Sequence, residues 1–366
     1  MNLPFLVFGS ITLLAATAGI ASEPLPAGAG AKTTRDYSAP ADAPYTAQDV
    51  TVQTPMGHTL AGTLTLPRIA SRTHPVGAIV TITGSGPQDR DEALGIGDYR
   101  LFGQLADALS RHGVAVLRMD DRGVGASKGT FKGATSADFA EDIRAGLADL
   151  RARPEIDGAR LGLIGHSEGA IIAPMVAVEE PALRAMVLLA GVAHPAREAL
   201  AFQLTNNIRH EEKLSQEQKD TAIAEIPKKI DAMMAADRWL AFFLTHDPVA
   251  TAQQVKGPAV LMLTGANDQQ ADPKQIPELM AAFIAAGNTD VTGRVIPGVN
   301  HLLVADADGF PGNYAKLPPP LRVEPQIIDM VVDWLARQFH CQDLQNAGDS
   351  KAASTHSEPG TGTNGP

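Results

Sequence analysis

Cysteine is almost absent from this sequence, because Cys341 is the only one among its 366 residues. No disulfide can form within the chain, so its fold has to be held by a hydrophobic core. The hydrophobic share of 44% is large enough to fill such a core. Histidine and cysteine also lack the clustered spacing of metal ligands, and we expect neither a metal nor a cofactor.

Positive charge is scarce as well. The chain has 30 Lys and Arg against 41 Asp and Glu, a formal net charge of −11, and its basic residues form no cluster. Nucleic acids and anionic membrane surfaces are therefore not expected as partners. The length allows one large α/β domain or two small ones, and the sequence does not indicate an oligomeric state.

Charge is missing altogether from the N-terminus, where the first charged residue after Met1 is Glu23. An apolar segment followed by small residues at positions 16–21 is typical of a secretory signal peptide, which we predict over residues 1–22. The protein is then exported, to the periplasm or outside the cell, without stable membrane association after cleavage. An uncleaved membrane anchor is the alternative, since no Lys or Arg lies near Met1.

Strand and helix patterns alternate along most of the remaining chain. Alternating apolar and polar residues over 49–54 and 58–67 predict an antiparallel hairpin. Continuous apolar runs at 76–83, 185–190 and 259–264 predict strands that are covered on both faces, with helical patterns between them. The fold class is therefore predicted as α/β, with a mostly parallel sheet that has helices on both faces.

The alternation breaks between Gly191 and Pro258, where a long, polar segment with helical composition predicts an insertion over the edge of the sheet. We therefore predict an α/β core formed by residues 49–191 and 258–340 and a helical cap at 192–257. A linker is predicted at residues 23–48. The Gly-, Ser-, Thr- and Pro-rich residues 341–366 are predicted to be a disordered tail.

The segment Gly165-His166-Ser167-Glu168-Gly169 lies between an apolar strand pattern and an Ala-rich helical pattern. This G-x-S-x-G arrangement is the nucleophile elbow, in which two glycines let a tight turn close against neighbouring backbone. Ser167 is therefore the predicted nucleophile, and the backbone N–H of Glu168 is a predicted oxyanion donor at the start of a helix. The alternative is a serine that only caps the helix.

A serine nucleophile needs a base and an acid that orients the base, and in this architecture the chain order is Ser, Asp or Glu, then His. Asp268 follows the strand at 259–264 and is the predicted acid, although it can also be interpreted as a turn or cap residue. His301 follows the last predicted strand, at 291–296, and is the predicted base. Its alternative role is that of a solvated loop histidine.

Three further groups complete the predicted site. The loop after the strand at 76–83 begins Gly84-Ser85-Gly86 and is expected to supply the second oxyanion donor, the N–H of Ser85, with Gly86 the second choice. Asp120 and Arg122 are predicted to hold neighbouring loops together. The aromatic residues of the cap, Trp239, Phe242 and Phe243, predict either an acyl pocket or an apolar cluster that fastens the cap to the core.

Three segments together carry a family resemblance: 84–91, 165–169 and 239–248. On these residues the chain resembles the α/β-hydrolase superfamily over roughly residues 49–340, and within it the bacterial serine esterases grouped with the serine-aminopeptidase-like, S33-type hydrolases. The resemblance implies an eight-stranded core, a helical cap and carboxylesterase activity on small acyl esters. It gives the roles of nucleophile, acid and base to Ser167, Asp268 and His301.

The predicted mechanism is a two-step acyl transfer in which His301 deprotonates Ser167 and water later releases the acyl group. A peptidase or a thioesterase with the same triad is an alternative, as is a binding protein that kept the fold without activity. No acidic pair is clearly placed to bind a free amino terminus, which favours the esterase.

Overall fold

The computed structural model describes residues 36–341, so the predicted signal peptide at 1–22 and all but the first residue of the predicted tail lie outside the described residues. Export stays a prediction. No helix within residues 36–341 has both the length and the apolar character needed to cross a membrane.

One eight-stranded sheet forms the centre of the protein, with the strand order β1-β2-β4-β3-β5-β6-β7-β8. Strands β1 and β2 pair antiparallel, β2 pairs antiparallel with β4, and all remaining pairs are parallel. This confirms the predicted α/β-hydrolase fold with a mostly parallel sheet. The strands are β1 Tyr45–Gln53, β2 Thr59–Pro67, β3 Val76–Ile82, β4 Ala115–Met119, β5 Ile156–His166, β6 Ala185–Leu189, β7 Ala259–Gly265 and β8 Val291–Ile296.

Ten α-helices accompany the sheet within residues 36–341. They are α1 Leu101–Arg111, α2 Ser136–Ala152, α3 Glu168–Glu179, α4 Ala196–His210, α5 Gln216–Ala224, α6 Ile226–Ala236, α7 Arg238–Thr245, α8 Pro248–Ala252, α9 Ile276–Ala285 and α10 Pro325–Gln338. Two short 3₁₀ helices lie at Pro273–Gln275 and Pro311–Lys316. The predicted strands at 58–67, 76–83, 185–190, 259–264 and 291–296 begin and end within one residue of the observed ones.

The sheet is covered on both faces, which explains why its parallel strands are apolar throughout. Ala78 and Val80 of β3 face a cluster that includes α2, α3 and α9, whereas Ile79 between them faces a second cluster with α1 and α10. Successive strand residues point to opposite faces, so both sets of side chains have to be apolar when both faces are buried.

A third apolar cluster joins the cap helices to the core. It contains Leu200 of α4, Ile230 of α6 and Phe243 of α7 together with Ile171, which lies in the first turn of α3. The cap therefore packs directly on the helix that follows the serine. Helix α8 differs from the rest of the 192–257 segment, because its Ala252 packs in the core cluster beside α3 and α9.

The predicted linker at 23–48 ends earlier in the structure than in the prediction, because β1 begins at Tyr45 instead of Asp49. Tyr45 pairs with Pro67 at the end of β2, and its hydroxyl donates to Asp107 Oδ1 at 2.7 Å. The hairpin is therefore four residues longer than predicted. The buried side chain of Tyr45 is held there by its contact with α1. Residues 36–44 have no regular secondary structure.

Candidate active site

Ser167 stands at the sharp turn between β5 and α3, with φ of 55° and ψ of −116°. This region of backbone space favours glycine and costs another residue about 1–3 kcal/mol. A Cβ at Gly165 would collide with the backbone of Gly169, and one at Gly169 would collide with the carbonyl of Ile82. Only glycine fits at both positions, and their close packing holds Ser167 in the strained conformation.

The structure brings the three residues predicted as a triad into one chain of hydrogen bonds. His301 Nε2 lies 3.1 Å from Ser167 Oγ, and His301 Nδ1 lies 2.8 Å from Asp268 Oδ2. The other carboxylate oxygen of Asp268 accepts the N–H groups of Gln270 and Ala271, both at 2.8 Å. The carboxyl of Asp268 is fully buried, so it is held by these partners and can fix the tautomer of His301.

The acid and the base come from the loops after β7 and β8, at the carboxyl ends of neighbouring parallel strands. These loops pack backbone against backbone, because a Cβ at Gly265 would collide with the carbonyl of Val299. The loop after β8 is shaped by Asn300, whose Oδ1 accepts the N–H groups of Leu302 at 2.9 Å and Val304 at 3.2 Å. Asp268 and His301 therefore meet although 33 residues separate them.

The two predicted oxyanion donors belong to segments next to Ser167, one of them directly after it in sequence. A Cβ at Gly84 would lie 3.3 Å from the Cβ of Ser167, so the loop that carries Ser85 passes directly beside the serine. Within residues 36–341, neither the N–H of Ser85 nor that of Glu168 donates to a protein acceptor. Gly86, with φ of 91°, turns the loop away in a conformation that favours glycine. Both donors are free for a ligand oxygen.

Sequence reasoning missed a second buried pair beside the triad. Glu92 Oε1 lies 2.5 Å from His166 Nδ1, and Glu92 Oε2 accepts the N–H of Gly84 at 3.1 Å. His166 Nε2 lies 3.0 Å from the carbonyl oxygen of His301. The signals were Glu92, directly after the 84–91 motif, and His166, directly before the nucleophile.

The side chain of Glu168 connects the elbow to the cap. Its Oε1 accepts the Ser136 hydroxyl at 2.6 Å and the Trp239 indole N–H at 2.9 Å. Burial raises the pKa of the Glu168 carboxyl, and the hydrogen bonds from Ser136 and Trp239 only partly offset this. Sequence reasoning assigned a role only to the backbone of Glu168 and missed its side chain.

The three aromatic residues predicted as an acyl pocket have different positions. Phe243 is buried in the apolar cluster of the cap and stacks on Trp239, with ring centroids 5.4 Å apart. Phe242 is half-buried and stacks on His246. Phe243 thus fastens the cap, whereas Trp239 lies between the cap and the residue that follows the nucleophile.

Asp120 and Arg122 both form buried ion pairs, and neither contacts the triad. Asp120 accepts two hydrogen bonds from the guanidinium of Arg90, at 2.7 and 3.0 Å, and Arg122 Nε donates to Asp142 Oδ2 at 2.7 Å. Between them in sequence, Asp121 accepts the Gln88 N–H at 2.8 Å, and burial raises the pKa of its carboxyl. These contacts join the loops after β3 and β4 to α2.

No metal site is formed by the residues that the structure describes, since no three of their His, Cys, Asp or Glu side chains are grouped to hold an ion. The arrangement at Ser167 offers an activated hydroxyl, an oriented imidazole and two free N–H donors. Together these groups can perform nucleophilic acyl transfer.

The chain is similar to known hydrolases in sequence and in fold. The family model described as serine aminopeptidase, S33 matches residues 95–308. The esterase EstD of Thermotoga maritima is 26% identical over 287 residues, which are 76% of this chain and 66% of that protein, so the chain spans just under two thirds of its relative.

Solved structures support the fold. The Pyrococcus furiosus esterase Pf2001 superposes with a TM-score of 0.54 at 16% identity, covering 81% of this chain and 92% of that one. Porphyromonas gingivalis dipeptidyl peptidase 4 superposes with a TM-score of 0.53 at 15% identity, covering 80% of this chain but 35% of that one. At such identities the likeness shows the fold alone.

The packing of the elbow predicts a sharp difference between two glycines of the same strand. Gly165→Ala would drive a methyl group into the backbone of Gly169, so we expect the free energy of unfolding to fall by about 3 kcal/mol. Gly158→Ala is the matched control, because its Cβ would meet only the flexible side chain of Arg151 at 3.7 Å. Urea denaturation measures both, and equal effects would contradict the proposed packing.

The buried carboxyl of Glu168 predicts a pH-dependent stability. Its folded pKa lies above the unfolded value of 4.5, so the folded state holds its proton longer and stability falls as pH rises from 4.5 through the folded pKa. Glu168→Gln removes this ionisable group. The melting temperature of the variant should therefore rise relative to that of wild type as pH increases through this range. Glu179→Gln, exposed at the end of α3, is the control. A pH-independent difference for Glu168→Gln would contradict the prediction.

Proposed function

Because this chain belongs to the serine aminopeptidase S33 family, we propose that it is a serine hydrolase that cleaves carboxylic esters of small acyl groups. The observation that carries the proposal is the continuous hydrogen-bonded path from Ser167 Oγ through both nitrogens of His301 to Asp268. The strained backbone of Ser167 presents its hydroxyl at the carboxyl edge of the sheet, where a substrate can reach it.

The first chemical step is attack of Ser167 on the ester carbonyl. His301 Nε2 accepts the hydroxyl proton as the Oγ–carbon bond forms, and Asp268 stabilises the resulting imidazolium. Negative charge develops on the carbonyl oxygen and is met by the N–H groups of Glu168 and Ser85. His301 then donates its proton to the leaving alcohol, and an acyl-enzyme remains on Ser167.

Hydrolysis of the acyl-enzyme uses the same groups in reverse. His301 removes a proton from water, the hydroxide attacks the acyl carbon, and the two N–H donors again hold the oxyanion. Collapse of the tetrahedral intermediate returns the proton from His301 to Ser167 Oγ. The acid product leaves and the site is restored.

An aminopeptidase is the second candidate, favoured by the description of the family model. Such an enzyme needs a carboxylate that is free to bind the ammonium group of a substrate. Two carboxylates beside the elbow are already engaged, Glu168 by Ser136 and Trp239, and Glu92 by His166 and Gly84. This engagement favours the esterase.

The proposed function predicts turnover of p-nitrophenyl esters that depends on Ser167. Ser167→Ala should lower kcat by about 10⁴-fold or more, because it removes the nucleophile but leaves the oxyanion donors. A fluorophosphonate should label wild type at Ser167 and leave the variant unlabelled. Ser71→Ala, in the turn after β2, is the control.

Two outcomes separate the alternatives. Labelling of Ser167 with hydrolysis of aminoacyl anilides, but not of esters, would establish the peptidase. The absence of both labelling and turnover in a folded protein would contradict the serine-hydrolase proposal itself.

Trp239 is proposed to limit the length of the acyl group, because its indole lies against Glu168 beside the nucleophile. Trp239→Ala should shift the ratio of kcat/KM for octanoate against acetate esters at least tenfold towards octanoate. Trp239→Phe keeps the ring but loses the N–H donated to Glu168, so it separates bulk from hydrogen bonding. An unchanged ratio in Trp239→Ala would contradict the assignment.

A further inference from the structure

We propose that Glu92 and His166 form a buried imidazolium–carboxylate pair that positions the general base His301 and the oxyanion loop against Ser167. The inference rests on the proposed function for its kinetic consequences, but the pair itself can be tested without turnover. His166 is here a positioning residue, because it acts through His301 and does not touch the reacting atoms.

The hydrogen-bond partners of His166 fix where its protons are. Its Nε2 faces the backbone carbonyl oxygen of His301 at 3.0 Å, and a carbonyl only accepts, so Nε2 carries a proton. Its Nδ1 faces Glu92 Oε1 at 2.5 Å. Two lone pairs cannot face each other at that distance, so a second proton lies between these two atoms. The contact is therefore a short hydrogen bond in which one proton lies between Nδ1 and Oε1.

The environment of the pair favours the charged form. Both side chains are almost fully buried, 2% and 3% exposed, and burial alone would lower the pKa of His166. The charge of Glu92 and its hydrogen bond outweigh this burial and raise the pKa of His166. Glu92 in turn has a second donor, the Gly84 N–H, which a buried carboxylate requires.

Other titratable groups face the pair from several elements. The imidazole of His301, after β8, lies with its ring centroid 5.1 Å from that of His166, and Asp268, after β7, adds negative charge. Burial raises the pKa of Tyr99, next to the start of α1, and of Asp121, after β4, and the negative charge of Glu92 raises both further. Each group is therefore neutral over a range of pH in which a free phenol or carboxylate begins to ionise.

The pair connects three segments beside Ser167. Glu92 holds Gly84, which precedes the oxyanion donor Ser85, and His166 is the residue before the nucleophile. Through Nε2, His166 also holds the backbone of the base. One chain of hydrogen bonds, from Gly84 through Glu92 and His166 to His301, therefore sets the position of donor, nucleophile and base relative to each other.

Proton NMR tests the pair directly in the resting protein. His301 Nδ1 also faces a carboxylate, that of Asp268, so with ¹⁵N-labelled histidine wild type should show two low-field protons coupled to imidazole Nδ1 atoms. Ser167→Ala should retain both, because neither contact involves the nucleophile. Glu92→Gln should abolish one of the two signals and keep the other. A wild-type spectrum with fewer than two such protons would overturn the proposal, and this result needs no variant to fold.

Kinetics test what the pair does. In Glu92→Gln the amide can still accept from Gly84 and donate to a neutral His166, so the geometry is kept and only the charge is lost. Both charges of the pair disappear, and the positive one lies nearer His301, so the acidic limb of the kcat/KM profile should move to higher pH. His166→Gln also loses the imidazole, and kcat should fall about tenfold to a hundredfold with KM unchanged.

The matched control is His58→Gln, since His58 Nε2 also pairs with a buried carboxylate, Asp142, at 3.0 Å without touching the triad. It should leave the pH profile in place. If Glu92→Gln and His166→Gln lower only the melting temperature and keep the wild-type kcat and pH profile, the positioning role is overturned. If both low-field protons are present and Glu92→Gln removes one of them, but no ester is hydrolysed, the proposed function fails and the pair stands.

Discussion

The left-handed backbone at Ser167 is the constraint on which the rest of the structure depends. A serine does not adopt φ of 55° unless its surroundings hold it there, and here the surroundings are backbone. Gly165 packs on Gly169 and Gly169 packs on Ile82, so β5, α3 and β3 approach as closely as peptide groups allow. The same contact that strains the serine brings the loop after β3, with the proposed oxyanion donor Ser85, to its side. Strain and catalytic geometry thus have one cause.

The buried charged and polar groups around Ser167 also fix the position of His301. His301 has a partner on each side, with Asp268 at its Nδ1 and His166 at its backbone carbonyl. The imidazole ring and the peptide that carries it are therefore fixed by different residues. Each of these residues is itself satisfied, Asp268 by two N–H groups and His166 by Glu92. Because buried polar groups are costly when unpaired, a displacement of one member disturbs all the others.

The sequence was sufficient to predict the sheet, its helices and the chain order of Ser167, Asp268 and His301, because these follow from local patterns and from the position of loops at strand ends. It did not reveal Glu92 with His166 or Glu168 with Trp239. Those partners are 74 and 71 residues apart, and nothing in either local segment specifies the other. The start of β1 was also misplaced, since the burial of Tyr45 depends on a contact with α1. Side-chain pairing between distant loops requires the tertiary structure.

Glu168 has two roles, one for its backbone and one for its side chain. Its backbone N–H, at the first residue of α3, is one of the two free donors beside Ser167, while its side chain holds Trp239 of the cap. A movement of α7 would therefore displace Glu168, whose backbone N–H is a proposed oxyanion donor. The carboxyl is buried and accepts from both Ser136 and Trp239, so loss of the cap contact would leave a buried acid with one partner fewer. The position of the cap and the geometry of the oxyanion hole are thus coupled through one side chain. Under the proposed function, a change in the cap that admits a different acyl group should therefore also alter the rate of the chemical step.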